Sequence, residues 1–323
     1  MAEYLVRRVL QSLLVLWLVT VVTFAIIHLA PGGPVQIFLQ PGLSPAAIEQ
    51  QIKNLGLDRP IPVQYLDWLG DLLRGDLGHT FKGYIPVAQI IWPTFKNTLI
   101  LMGTAWVVTL LLAIPWGVYN SARQYGLSDT LASLVGYAGL AMPSFWLGII
   151  LQQVFALKLK WLPLSNMYTY GREGDLLDLV RHMVLPVATL VIINLAAYLK
   201  YARASMLEVL GQDYIRTARA KGVPERRVIF RHALRNALIP IITILGLDLP
   251  FVVSGAALTE AVFNWPGMGQ LFVQMAFARE YQVLMAITLI VTVVVVVGNL
   301  LADVLYAVVD PRVRLTGKGV QSA

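Results

Sequence analysis

The chain contains 323 residues, of which 57% are hydrophobic and 13% are charged, and its net charge at pH 7 is +7. Soluble domains carry about 25% charged residues, so this composition is typical of a membrane protein. Cysteine is absent, which excludes disulfide bonds, thiolate metal sites and cysteine nucleophiles. The positive charge is typical of cytoplasmic loops, and nothing in the sequence resembles a soluble nucleic-acid-binding domain.

Six apolar stretches are long enough to cross a bilayer, which takes about 20 helical residues. They lie near residues 9–29, 98–119, 130–157, 184–201, 237–257 and 283–309, and the fourth is the shortest. The first follows Arg7 and Arg8, as in a signal peptide, but its apolar run is longer and no small-residue cleavage site follows. We therefore expect an uncleaved first helix and an all-α polytopic membrane protein with six transmembrane helices.

The distribution of lysine and arginine predicts the orientation of the chain. These residues are concentrated in segments that share one side of the membrane with both termini, above all in 200–236. We therefore expect cytoplasmic N- and C-termini and insertion in the cytoplasmic (inner) membrane. The chain then divides into a first helix (1–29), an extracytoplasmic segment (30–97), a five-helix core (98–309) and a cytoplasmic tail (310–323).

The extracytoplasmic segment 30–97 is too long for an unstructured connector. Its sequence predicts one short helix that begins at Pro45 and ends near Gly56, and another that begins at Pro62 and ends at Gly75. The segment is either a folded cap on the membrane helices or a docking surface or substrate vestibule, and the sequence favours none of these.

Two turn-rich motifs fall on the same side of the membrane. The first contains Gly75, Asp76 and Gly78, and the second contains Glu260, Trp265, Pro266, Gly267 and Gly269. Glycine permits backbone angles that other residues avoid, so both motifs predict turns. We expect the tryptophan at the membrane interface, which suits an amphipathic indole ring.

The basic loop, at about residues 203–236, predicts a helix–turn–helix. Helix-forming residues run from about Ser205 to Ala220, and Gly222 interrupts them. Pro224 can begin a new helix because its missing N–H is not needed there, and Glu225 is favourable near the new N-terminus.

The second helix of the basic loop is amphipathic. A positively charged stripe is formed by Arg227, Arg231 and Arg235, which are spaced four residues apart. An adjacent apolar face is formed by Phe230, Ala233, Leu234 and Ala237. The loop is a topology signal, a lipid-headgroup patch or a docking site for a cytoplasmic partner. The apolar face and the glycine turn favour docking, because topology alone requires only charge.

The basic loop resembles the coupling loop of ABC-importer permeases, whose general motif is Glu-Ala-Ala, a glycine four residues further on, and a later Leu-Pro. Three positions keep the motif, namely Ala218, Gly222 and Leu234. Three others depart from it, namely Arg216, Thr217 and Arg235. These departures match the variant found in dipeptide, oligopeptide and nickel permeases, and the approach to the loop from Ser205 is most similar to the dipeptide branch (B type).

The resemblance extends over nearly the whole chain. Further matching pieces are Arg7-Arg8, Ala30-Pro-Gly32, Gly75-Asp-Leu-Gly78, Met142-Pro-Ser144, Thr259-Glu260, Pro266-Gly-Met-Gly269 and Asp303 to Arg312. Each is weak alone, but their order and spacing are specific. The resemblance implies the transmembrane domain of a type I ABC importer.

The resemblance also implies a set of partners and a substrate. Such a subunit forms half of a pore with a second homologous permease, two ATP-binding subunits dock on the cytoplasmic loops, and an extracytoplasmic binding protein delivers the substrate. ATP and magnesium would be bound by the partners, since the chain has no phosphate-binding Gly-x-x-x-x-Gly-Lys-Ser/Thr loop. Membrane lipid is the other expected contact. Peptides are the expected substrate, with nickel complexes and oligosaccharides as alternatives.

Three groups of site residues follow from the resemblance. The expected ATPase-docking residues are Asp213, Arg216, Thr217, Ala218, Arg219, Ala220, Lys221, Gly222, Glu225, Arg227 and Arg231. The expected binding-protein-facing residues are Gly75, Asp76, Gly78, Glu260, Pro266, Gly267 and Gly269. The candidates for the translocation pathway or the permease interface are Pro143, Ser144, Asn194 and Asp248.

Two aspartates in apolar spans leave other mechanisms open. Asp248 and Asp303 would relay protons in a secondary transporter, or perform acid–base chemistry in an intramembrane protease. However, Asp248 lacks the Gly-x-Gly-Asp pattern of aspartyl intramembrane proteases, and Ser254-Gly255 lacks the glycine that precedes a rhomboid serine. A carboxylate in an apolar span must face a cavity, a partner helix or water, and Asp248 is either structural or part of the pathway.

Overall fold

A computed structural model describes residues 2–29, 45–54 and 56–309 of the chain. Regular structure within these ranges is helical, apart from one isolated bridge between His79 and Pro86. The helices are α1 (Ala2–Leu29), α2 (Pro45–Asn54), α3 (Ile61–Leu73), α4 (Val87–Ala122), α5 (Leu127–Ala141), α6 (Ser144–Leu151), α7 (Leu176–Leu210), α8 (Asp213–Ala220), α9 (Glu225–Arg227), α10 (Leu234–Ser254), α11 (Ala257–Val262), α12 (Met268–Ala278) and α13 (Tyr281–Val309). Two π-helical segments, Gln152–Lys158 and Val228–Ala233, adjoin α6 and α10.

Four of the described helices are long and apolar enough to cross a membrane, and they contain four of the six predicted spans. They are Arg7–Leu29 in α1, Val87–Ala122 (α4), Leu176–Leu210 (α7) and Tyr281–Leu300 in α13. The predicted span 130–157 is divided between α5, α6 and a π-helical segment, because the backbone is extended at Met142 and Pro143. The predicted span 237–257 falls mostly in α10. The count of six spans therefore stays a prediction.

The helix that contains the shortest predicted span, 184–201, is one of the longest. α7 has 35 residues, which corresponds to about 52 Å at 1.5 Å per residue, against a hydrocarbon core of about 30 Å. The helix begins early because the Asp175 side chain caps it, accepting from the amides of Leu177 and Asp178. α7 and the 36-residue α4 therefore extend beyond the apolar layer.

α7 is the central helix of the bundle, and α4, α5 and α10 pack against it. Glycines permit the closest of these contacts. A Cβ at Gly117 of α4 would lie 2.7 Å from the Ala202 Cβ, and one at Gly139 of α5 would lie 2.6 Å from the Ile192 carbonyl oxygen. Small residues at helix contacts are the usual means by which membrane helices pack closely. The bundle is therefore tightly packed around α7.

The segment 30–97, which was predicted to be extracytoplasmic, contains the two predicted helices, which the structure confirms as α2 and α3. α3 lies against the end of α1, where the hydroxyl groups of Tyr65 and Thr20 are 2.9 Å apart and Gln64 Oε1 lies 3.1 Å from His28 Nε2. The loop after α3 is attached to the start of α13, since the Glu280 carboxylate accepts the backbone amides of Phe81 and Lys82. The described part of this segment therefore forms a folded cap on α1 and α13.

Candidate functional site

The basic loop forms short helices at the end of α7. α7 ends at Leu210 and α8 begins at Asp213, because Gln212 has an extended backbone with φ −72° and ψ 149°. The predicted continuous helix from Ser205 to Ala220 is therefore wrong. The predicted turn is confirmed, since Gly222 has φ +75°, which favours glycine, and Pro224 precedes the next helix.

The second helix of the loop runs through a π-helical segment directly into α10. Val228, Ala233 and Ala237 are buried, but Phe230, predicted on the same apolar face, is 58% exposed. The predicted apolar face is therefore divided, with Phe230 at the surface, because the π-helical hydrogen-bond pattern i→i+5 changes which residues share a face.

Ile215 anchors α8 to the bundle. It is 0% exposed and packs with Val118 of α4, Met206 of α7 and Val228 in the continuous helix. Polar contacts support this packing: the Ser205 hydroxyl donates to the Ala237 carbonyl at 2.7 Å, and the Asn236 amide donates to the Tyr214 hydroxyl at 2.7 Å. A force on α8 would therefore act on the ends of α4, α7 and α10 together.

The predicted docking residues form the outward face of this anchored unit. Ala218 is half-buried. The other ten are exposed, namely Asp213, Arg216, Thr217, Arg219, Ala220, Lys221, Gly222, Glu225, Arg227 and Arg231. Arg216 lies 3.6 Å from Asp213. Within the described part of the chain, Lys221, Arg227 and Arg231 form no ion pair. The surface therefore carries excess positive charge.

One ion pair of the basic loop holds the loop itself together. The Arg219 guanidinium donates to both Glu225 oxygens, at 2.7 and 3.1 Å, across the Gly222 turn. The hydrogen bond from Arg219 lowers the pKa of Glu225. These two residues were predicted to contact an ATPase, and the structure pairs them with each other.

A cavity of about 490 Å³ lies between α4, α7 and α10. It brings together Asn194 and Asp248, two of the four pathway candidates. The Tyr198 hydroxyl donates to Asp248 Oδ2 at 2.6 Å and accepts from the Trp106 indole N–H at 3.1 Å. Asp248 therefore faces a cavity, as a carboxylate in an apolar span requires.

The other two pathway candidates lie elsewhere. Pro143 and Ser144 are at the break between α5 and α6, where the Pro143 carbonyl accepts from the amides of Trp146 and Leu147. Neither residue lines the cavity. The side chain of Asp303, together with motif residues 30–32 and the tail 310–323, lies outside the described residues.

The α11–α12 hairpin (residues 256–278) packs on the ends of α4 and α7 opposite the basic loop. Its centre is Glu260, which is 0% exposed and accepts from the Thr98 hydroxyl at 2.9 Å and the Gln270 backbone N–H at 2.8 Å. Burial raises the pKa of Glu260. Gly267 permits this arrangement, since a Cβ there would lie 2.5 Å from the carboxylate.

The hairpin therefore differs from its sequence-based description. Glu260, Gly267 and Gly269 were predicted to face a binding protein, but all three are buried within the chain, where they cannot form a surface contact. Pro266 is exposed. Trp265, predicted at the membrane interface, is 0% exposed, with its indole N–H donating to the Asn97 carbonyl at 3.0 Å. That prediction is wrong because the indole completes the α4–α7 core.

The first turn motif keeps a surface position. Gly75 and Asp76 are exposed, and the Asp76 carboxylate accepts from the Gly78 amide at 2.8 Å. Asp76 and Gly78 also line a cavity of about 470 Å³ between α1, α3 and α13.

Several residues that organise these sites were not singled out from the sequence. They are Ile215, Glu280, Tyr198 and Trp106. A signal existed only for Ile215, which with Ala218 forms an i, i+3 apolar pair on an otherwise polar helix. The partners of the other three are remote in sequence, such as Phe81 for Glu280, 199 positions away.

Comparison with known proteins identifies the family. The model of the binding-protein-dependent transport system inner membrane component matches residues 110–315, and the model of the corresponding N-terminal region matches residues 1–102. The chain belongs to this family. It is thus a multi-pass permease component of the inner membrane, which confirms the resemblance to importer permeases inferred from the sequence.

Individual relatives agree with this assignment along almost the whole chain. The oligopeptide transport system permease protein AppB of Bacillus subtilis is 45% identical over 316 residues, which cover 97% of this chain and 100% of AppB. The dipeptide transport system permease protein DppB of Escherichia coli K12 is 37% identical, with 97% and 99% covered. The glutathione transport system permease protein GsiC of Pectobacterium atrosepticum is 38% identical, with 97% and 99% covered.

A solved structure supports the fold. A chain of the MetNI methionine ABC transporter, in an inward-facing conformation, aligns with a TM-score of 0.55 at 15% identity. The alignment covers 69% of this chain and 97% of that chain. The all-α fold of a type I importer transmembrane domain, expected from the sequence, is thereby confirmed.

Proposed function

We propose that the chain is a pore-forming permease subunit of an ATP-driven (ABC) importer that moves di- or oligopeptides across the cytoplasmic membrane. The observation that carries this proposal is full-length similarity to permeases named for oligopeptide and dipeptide transport, at 45% and 37% identity. The relative named for glutathione transport also handles a small peptide. Import of nickel complexes or oligosaccharides by the same machinery is the alternative.

The proposal includes four partners and a topology. A second homologous permease completes the pore, two ATP-binding subunits dock on the cytoplasmic loops, and an extracytoplasmic binding protein delivers the peptide. ATP and magnesium belong to the ATP-binding subunits, because this sequence has no phosphate-binding loop. The chain itself is then a transport subunit without a cofactor. Its N- and C-termini face the cytoplasm.

The anchored α8 supplies the mechanical link. Closure of the two ATP-binding subunits would displace α8, and its packing through Ile215 would pass that displacement to α4, α7 and α10. Such rigid-body movement of packed helices is one of the standard forms of conformational switching. The Arg219–Glu225 pair stiffens the turn, so that α8 and α9 move as one piece.

A proton-coupled secondary transporter is the less favoured mechanism. A proton relay needs a chain of titratable groups. Among the described residues that line the cavity, Asp248 is the only carboxylate, and its nearest polar partner is a tyrosine hydroxyl.

Peptide uptake by the assembled complex tests this function. The full complex is placed in proteoliposomes, and uptake of labelled trialanine is measured with ATP and the binding protein. Uptake should require ATP and should survive dissipation of the proton gradient. Uptake without ATP that stops when the gradient is discharged would contradict the proposal.

Charge reversal at the basic loop tests the coupling surface. The double variant Arg216→Glu, Lys221→Glu should lower uptake at least tenfold and abolish stimulation of ATP hydrolysis by the loaded binding protein. Arg219 is unsuitable, because its reversal also breaks the bond to Glu225. The control is Lys158→Glu, an exposed lysine outside the basic loop. Unchanged uptake in a double variant that assembles normally would remove these residues from the docking surface.

A further inference from the structure

The cavity between α4, α7 and α10 has the size and the lining of a small-molecule site. Its volume of about 490 Å³ falls within the range of about 300–1,000 Å³ that such sites occupy. Its polar and aromatic lining consists of Trp106, Thr109, Asn194, Tyr198, Tyr201 and Asp248. The remaining lining is mainly aliphatic.

The donors that point toward this cavity are largely used within the chain. The Trp106 indole N–H donates to the Tyr198 hydroxyl at 3.1 Å, and that hydroxyl in turn donates to Asp248 Oδ2 at 2.6 Å. The Asn194 amide nitrogen donates to the Leu190 carbonyl at 2.7 Å, and the Thr109 hydroxyl donates to the Ala105 carbonyl at 2.7 Å.

The hydrogen-bonding capacity that remains is mostly that of acceptors. Within the described residues, no donor of this chain bonds to Asp248 Oδ1 or Asn194 Oδ1. A ligand that satisfies these two acceptors must bring N–H or O–H donors. Charge-assisted hydrogen bonds to a carboxylate are the stronger kind, so a cationic donor is favoured.

The negative charge of the cavity also favours a cationic ligand. Asp248 is the only charged residue in the described lining, so its carboxylate has no counter-cation there. The aromatic rings of Trp106, Tyr198 and Tyr201 can attract a cation through their π faces. Anionic groups would meet the carboxylate without a compensating positive charge.

We propose that this cavity binds the α-ammonium group of a peptide during its passage through the pore. Asp248 Oδ1 and Asn194 Oδ1 accept two of its N–H groups, and the aromatic rings enclose the cation. The Tyr198 hydroxyl positions the Asp248 carboxylate. This inference rests on the proposed function for the identity of the ligand, but the preference of the cavity for cations can be measured without transport.

The chain contains no cysteine, so a single introduced cysteine is a specific probe of that preference in this subunit. Ala197→Cys places a thiol in the cavity lining. Its modification in the assembled complex is followed by mass spectrometry with two thiosulfonate reagents, one bearing an ammonium group and one a sulfonate. Each rate is normalised to that at Phe277→Cys, since Phe277 is 87% exposed and does not line the cavity.

The normalised rates should favour the cationic reagent at Ala197→Cys by at least about fivefold, because a nearby carboxylate attracts cations and repels anions. Asp248→Asn should abolish this preference, since it keeps an acceptor for Tyr198 but removes the charge. Tyr198→Phe should retain it. Equal normalised rates, or an unchanged preference in Asp248→Asn, would overturn the cation site.

A transport measurement on the same complex then tests the ligand. At saturating trialanine-loaded binding protein, Asp248→Asn should lower the maximal uptake rate at least tenfold and leave stimulated ATP hydrolysis within twofold of wild type. Equal uptake by both proteins would overturn the inference. If the wild-type complex imported no peptide at all, the proposed function would fail, and the labelling ratio alone would decide whether the cavity binds cations.

Discussion

The basic loop and the α11–α12 hairpin lie at opposite ends of α4 and α7, and they differ in whether their charged side chains are exposed or buried. The basic loop exposes most of its charged side chains and buries apolar ones, among them Ile215 and Val228. The hairpin buries a carboxylate, Glu260, and surrounds it with donors from α4 and α12. Both contain glycines where the chain turns, so the glycines alone do not distinguish them.

This difference separates an exposed charged surface from a buried structural contact. A buried carboxylate costs several kcal/mol in desolvation unless it is hydrogen-bonded, so a cluster of donors around Glu260 marks a group that holds the fold. Exposed cations cost little and remain available to a partner. The hairpin therefore fixes one end of the bundle, whereas the basic loop leaves a charged surface at the other end, as the proposed coupling role requires.

The largest expected effect is on stability, from removal of the buried carboxylate. Glu260→Leu leaves the Thr98 hydroxyl and the Gln270 amide without their acceptor, and each unsatisfied buried group costs about 1–3 kcal/mol. We expect a loss of about 3 kcal/mol or more, measured as a lower thermal unfolding midpoint in detergent. Glu260→Gln, which keeps one acceptor oxygen, should lose much less. Equal losses in both variants would mean that the hydrogen bonds do not support the hairpin.

The second largest effect should come from the apolar anchor of α8. Ile215→Ala removes a fully buried side chain, and such truncations cost about 2–5 kcal/mol. Because α8 would no longer be fixed to α4 and α7, trialanine uptake should fall at least tenfold while ATP hydrolysis continues. The measurement compares uptake with hydrolysis in the same proteoliposomes.

Phe230→Ala is the matched control for the anchor. It also removes a large apolar side chain, but one that is 58% exposed, so it should not change the unfolding midpoint. If Phe230→Ala lowered the unfolding midpoint as much as Ile215→Ala does, the difference in burial between the two side chains would not explain the stability of the loop.

The same contrast shows what sequence patterns can and cannot predict. The positions of α2, α3 and the Gly222 turn were predictable, because capping residues and glycine act locally. The exposure of Phe230 was not, because a π-helical segment breaks the 3.6-residue period. The burial of Glu260 depends on Thr98, 162 positions away, and no local pattern reports such a contact.

The cavity was only partly predictable from the sequence. Polarity inside an apolar span singled out Asp248, and the rule for such groups left a cavity, a partner helix or water as its surroundings. The structure places it at a cavity. Its partner Tyr198 was not predictable, since an aromatic residue in an apolar span is common. The importance of the charged group could therefore be predicted from the sequence, but its hydrogen-bond partner could not.

A smaller effect is expected in the pH dependence of stability. Burial raises the pKa of Glu260 above its ordinary value of 4.5, so the folded protein holds this proton more tightly than the unfolded chain does. The stabilising contribution of protonation is complete below pH 4.5 and is lost as the pH rises through the raised pKa. The unfolding midpoint of the wild type should thus fall over this range relative to Glu260→Gln. Parallel pH profiles for the two proteins would contradict a raised pKa.

The smallest effect should come from the ion pair within the basic loop, since its two side chains are 42% and 55% exposed to water and exposed pairs contribute little. Arg219→Glu and Glu225→Arg should each lower uptake a few fold, because like charges then face each other across the Gly222 turn. The double exchange should restore uptake, because the pair is re-formed with its charges interchanged. If the double variant stayed as impaired as Arg219→Glu alone, Arg219 would instead contact a partner subunit. Uptake by the three variants and the wild type, measured with complexes prepared in parallel, decides between a stiffened turn and a docking contact.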